Sequence, residues 1–76
     1  MAKRKEKINF SALRLYKIKG LMAERDETQG DLANLLGVSK VTINSRLKGK
    51  TEFKVGELAK IAEHFSVPIG YFYIDI

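Results

Sequence analysis

Residues 28–49, TQGDLANLLGVSKVTINSRLKG, constrain this chain more than any other stretch, because they spell two short helices with almost nothing between them. Thr28 can cap the first through its hydroxyl, Asp31 completes a short-armed capping box, and Leu32, Leu35 and Leu36 supply a one-sided apolar face. Gly37 tolerates the left-handed backbone that ends a helix. Only Val38 separates it from Ser39, a second cap, after which Ile43 and Leu47 form the inward i, i+4 pair of the next helix. Helices joined this closely cross steeply. The small side chain of Ala33 suits the crossing, since a larger one would hold the two axes apart.

With Ile43 and Leu47 inward, the opposite face carries Lys40, Val41, Asn44, Ser45 and Lys48, polar and basic at both ends. Residues 40–54 hold Lys40, Arg46, Lys48, Lys50 and Lys54 against Glu52 alone, whereas residues 24–31 hold Glu24, Asp26, Glu27 and Asp31 against Arg25. The net charge of +5 is therefore concentrated on the second helix and the loop after it, where a polyanion would sit. A charge run also serves simply as a solvated face. Gly49-Lys50-Thr51 invites comparison with a phosphate-binding P-loop, but Asn44 stands where that motif needs its first Gly, and a helix precedes it instead of a strand.

Seventy-six residues make one domain, and one this short buries only roughly 60% of its unfolded surface. With no cysteine it has neither a disulfide framework nor a thiolate zinc site, which fits a reducing cytosol. No apolar run follows the basic N-terminus as in a signal peptide, and none approaches the ~20 residues that span a bilayer; a soluble, cytoplasmic protein is expected.

Residues 1–8 read as a flexible basic arm that either tracks DNA or merely aids solubility. A first helix is expected from Asn9 or Ser11 to Arg25, with Leu13, Ile18, Leu21 and Met22 in the core, Phe10 and Tyr16 flanking them, and Arg14, Lys17, Lys19 and Glu24 exposed. Phe53 should anchor the loop. Val55, Leu58, Ala59, Ile61, Ala62 and Phe65 form the face of a further helix, and Pro68 opens a last short one from Ile69 to about Tyr73. Phe72 and Ile69 are candidates to complete the core.

The order Gln29, Leu32, Ala33, Gly37, Val38, Ile43, followed by the KGKT loop and another amphipathic helix, resembles the Cro/C1-type (XRE) helix-turn-helix regulators of phages and bacteria over residues 13–72. The resemblance implies an all-α fold: a five-helix, phage lambda repressor-like DNA-binding domain with a central helix-turn-helix, covering residues 9–76. Several positions depart from the pattern. Asp26 replaces a common Gly, and Asp tolerates a left-handed backbone better than most residues. Glu27 replaces an apolar residue without an evident reason. Many members pair an Arg in the first helix with a Glu near the end of the recognition helix, where this chain has Met22 and Leu47; changing both leaves no buried charge unpaired. Arg46 fills a slot usually held by Ile or Leu, so the apolar contact shifts to Leu47 and Arg46 is left for solvent or phosphate.

The resemblance further implies sequence-specific double-stranded DNA binding by a phage or bacterial transcriptional regulator, a repressor, with a recognition helix at about residues 40–48 in the major groove. Lys40, Val41, Asn44 and Ser45 are the expected base contacts, and Gln29, Ser39, Thr42, Arg46, Lys48, Lys50 and Thr51 the backbone contacts. One such helix reads too few base pairs to single out a site, so a homodimer is expected. Ile69, Tyr71, Tyr73, Ile74 and Ile76 exceed what a small core absorbs and are its expected interface; the competing reading folds this tail back over its own helices. No nucleophile with a base, paired carboxylate or metal-ligand set is present, and His64 stands alone, so neither catalysis nor a cofactor is expected. From another class, a helical protein-interaction module, antitoxin-like or adaptor, could keep the fold without DNA binding. An RNA-binding role is disfavoured because no aromatic platform lies within the basic patch.

Overall fold

A computed structural model describes residues 10–73; the basic arm at 1–8, the helix start at Asn9, the side chain of Phe10, and Ile74 and Ile76 of the proposed interface lie outside the described residues. Four α-helices follow in order, α1 (Phe10–Arg25), α2 (Gln29–Leu36), α3 (Lys40–Leu47) and α4 (Val55–Phe65), and then a 3-10 turn, Ile69–Tyr73. The expected fifth helix is thus a single tight turn rather than an α-helix. The all-α class stands. Among the described residues no helix is long and apolar enough to cross a membrane.

Local chemistry sets most of the boundaries. Asp26 adopts φ 54° at the end of α1, the left-handed backbone expected there, and Glu27 N–H closes back on the Met22 carbonyl at 2.9 Å. Thr28 and Asp31 form the reciprocal capping box of α2: Asp31 N–H donates to Thr28 Oγ1 at 3.1 Å and Thr28 N–H donates to Asp31 Oδ2 at 2.9 Å. Gly37 ends α2 at φ 70°, and Ser39 Oγ caps α3 by accepting Thr42 N–H at 3.1 Å.

The core draws on every element. Ile18, Leu32, Ile43, Ile61 and Phe72 are wholly buried, with Phe65, Leu58, Ala33, Met22 and Leu47 around them. Phe53 packs against this cluster and anchors the loop, as do Leu35, Val38 and Tyr71 at its edge.

Several faces differ from their helical spacing. Lys17, expected on the exposed side of α1, is buried: Nζ donates to the Tyr71 carbonyl at 2.6 Å and lies 4.6 Å from the centre of its ring. Arg14 is also half-sheltered, stacked 5.2 Å over the Tyr73 ring and 3.6 Å from Glu52 Oε1. Tyr16 faces solvent instead of flanking the core, as do Val55 and Ala59 of α4. For Lys17 and Arg14 the tail and loop packed against α1, rather than the helix's own pattern, decide which side is covered. Phe72 completes the core, but Ile69 does not; it remains 41% exposed. The turn Ile69–Tyr73 packs on both α1 and α4, so the described part of the tail folds back on its own chain.

Candidate nucleic-acid interface

The tight link between α2 and α3 follows from its caps, and it leaves one face of α3 free. Ile43 and Leu47 are buried, while Lys40 and Val41 project outward, Val41 being 79% exposed. The stem of Lys40 runs back along Gly30, where an added Cβ would sit 3.9 Å from its Cδ and Cε. The first turns of α2 and α3 therefore lie side by side. The positive ends of the two helix dipoles and the Lys40 ammonium favour negative charge along that edge, partly offset by the Asp31 carboxylate in the first turn of α2.

Asn44 and Gln29 come together across the two helices: Asn44 Nδ2 donates to Gln29 Oε1 at 3.3 Å. Both line an open cleft of about 450 Å³ with Lys19, Met22, Ala23, Glu27, Leu47 and Lys48. Its lining includes the buried Met22 and Leu47. Lys19 and Lys48 flank it, and Lys19 is a cation the sequence placed only on a generic exposed side.

Not every expected contact is free. Ser39 and Thr42 are joined, the Ser39 hydroxyl donating to Thr42 Oγ1 at 3.1 Å, and Ser45 Oγ lies 3.5 Å from Thr51 Oγ1. Arg46 departs most from its expected freedom. Its side chain is only 12% exposed, and Nε and NH2 donate to Glu57 Oε1 and Oε2 at 2.9 and 3.1 Å. A guanidinium in that bidentate grip is not an unengaged cation awaiting phosphate. Lys48 and Lys50 are exposed, and Gly49 between them takes φ 82°, which turns the loop so that Lys50 N–H reaches the Ser45 carbonyl at 3.0 Å.

Glu27 also gains a reason. Its carboxylate lies 3.0 Å from His64 Nε2, while Arg25 NH2 donates to the Phe65 carbonyl at 3.0 Å, so the turn before α2 is held against the end of α4. His64 is a tether here. Among the described residues no group of three or more His, Asp or Glu could hold a metal.

No curated protein and no solved structure matches the chain. The family model described as helix-turn-helix matches residues 18–72, more than half the chain, a span that includes α2, the tight turn and α3. The chain belongs to the Cro/C1-type helix-turn-helix family of DNA-binding transcription regulators.

Proposed function

We propose that this protein is a sequence-specific double-stranded DNA-binding repressor of a phage or bacterial cell, acting in the cytoplasm as a homodimer. The observation that carries this reading is α3 itself: Ile43 and Leu47 hold one side in the core while Lys40 and Val41 stand clear on the other, continuous with Lys48 and Lys50. Lys40 then donates to guanine and Val41 meets a thymine methyl, with Ser45 at the groove edge. Gln29, Lys48 and Lys50 meet phosphates, and Asn44 acts both on a base and, through Gln29, on the backbone. Ser39 and Thr42 approach the backbone as the cap of α3, and Thr51 as part of the loop. Arg46 supports the loop from behind.

The dimer surface we propose among the described residues is Ile69 and Tyr73, which are 41% and 40% exposed, whereas Tyr71 packs against the core of its own chain. Selection of bound sequences from a random duplex library tests the whole reading. Enrichment of a palindrome with two half-sites about one helical turn apart is expected. No enrichment and no duplex binding at moderate salt would leave a protein-interaction module as the better account.

A further inference from the structure

The Arg46–Glu57 pair ties three parts of the interface together. Arg46 lies in the last turn of α3 and Glu57 in the first turn of α4. Glu57 Oε1 accepts both Arg46 Nε and the Lys54 N–H at 2.9 Å, Oε2 accepts Arg46 NH2, and Arg46 NH1 donates to Thr51 Oγ1 at 3.2 Å. The ends of α3 and of the Lys48 loop and the start of α4 therefore converge on one carboxylate. Both side chains are largely sheltered, at 12% and 14% exposure, so the pair is held in a fixed geometry rather than exchanging with solvent.

We infer that Arg46 and Glu57 are positioning residues for DNA recognition: the neutral pair fixes the loop bearing Lys48, Lys50 and Thr51 relative to α3, and so sets the phosphate register that lets Lys40 and Val41 meet bases. This rests on the DNA-binding reading above. Phosphate contacts set the register of a reader on the duplex, while base contacts supply the sequence information. Loosening the loop should thus cost discrimination more than it costs attraction. The carboxylate also cancels the Arg46 charge, so removing it releases a cation beside the phosphates.

The test compares binding to a library-selected duplex and to a random duplex over a range of salt, with thermal melts to verify folding. Glu57→Gln should weaken the selected site about tenfold. Binding to random duplex should hold or tighten, and the log K against log salt slope should steepen by about 0.9 as Arg46 gains a phosphate. Arg46→Met with Glu57→Leu removes both charges and should lose discrimination with its slope unchanged. Arg46→Lys keeps the charge but loses the bidentate grip and the Thr51 bond, so it should lose part of the discrimination and stay folded even if Glu57→Gln does not. Equal losses on both duplexes at constant slope would reduce the pair to a stability element. A slope shallower by about 0.9 in the double variant would make Arg46 a direct phosphate contact, and either result overturns the inference. Failure of the wild-type protein to bind any duplex sinks the DNA reading as well, whereas normal wild-type binding with discrimination kept in all three variants sinks the positioning role alone.

Discussion

Lys40 and Asn44 occupy the same face of α3 but differ in what they touch, and the difference is measurable. Lys40 is exposed and should act on bases alone, so Lys40→Ala should cost about 1 to 3 kcal/mol on the selected duplex and little on random DNA. Asn44 also orients Gln29, so Asn44→Ala should weaken both duplexes. An Asn44→Ala loss confined to the selected duplex would mean the bond to Gln29 does nothing for the backbone. Lys48→Ala and Lys50→Ala remove exposed cations and should each lower the magnitude of the salt slope by about 0.9, with the same fractional loss on all duplexes. An unchanged slope takes that lysine out of contact with phosphate.

At the scale of elements, Met22 of α1 and Leu47 of α3 share the apolar core. Met22 and Leu47 are 8% and 5% exposed and border one cleft. Leu47→Glu should lower stability by roughly 3 kcal/mol or more, because a carboxylate is buried without a partner, and adding Met22→Arg should recover part of it. Melts of the double variant no better than the single would show that the two side chains do not meet. The starts of α2 and α4 make the fold sensitive to acid. The Thr28 N–H, then its hydroxyl, hold Asp31 below the ordinary carboxylate range. Burial pushes Glu57 up, but the Lys54 N–H and the Arg46 guanidinium outweigh it and hold Glu57 below its usual range. Both folded values are depressed, so the stability they contribute is fully present above the unfolded values and is lost as pH falls through the lowered ones. Tm should therefore fall below about pH 4, and Asp31→Asn with Glu57→Gln should flatten that fall while lowering Tm at neutral pH. An identical pH profile in the double variant would put the acid sensitivity elsewhere.

For the molecule as a whole, the tail is divided between buried and exposed residues. Phe72 and Tyr71 close the core over α1 and α4, while Ile69 and Tyr73 remain 41% and 40% exposed. Ile69→Glu with Tyr73→Glu should give a folded monomer in sedimentation that keeps half-site binding and loses cooperative binding to the palindrome. Retained dimerisation would move the interface off these residues. Tyr71 is unsuitable for that test, because it packs against the core and covers the buried Lys17, whereas Tyr73 touches the partly exposed Arg14.

What the sequence determined by itself is the set of features that act over short range. The capping box of Thr28 and Asp31, the left-handed Gly37 and Asp26, the Ser39 cap and the inward Ile43 and Leu47 all depend on backbone chemistry within a few residues or on helical period, and all were legible. Tertiary structure alone decided the fate of the long polar side chains. Helical spacing gives the direction of a Cβ, but a flexible charged stem finds its partner wherever the fold supplies one. Arg46 meets Glu57 from 11 residues away, Glu27 meets His64 from 37, and Lys17 meets Tyr71 from 54. Those partners are fixed only when α4 packs beside α2 and the tail packs on α1, which is why the expected phosphate contact Arg46 is held by a carboxylate, an unexplained acid is tied to His64, and an expected surface lysine is buried.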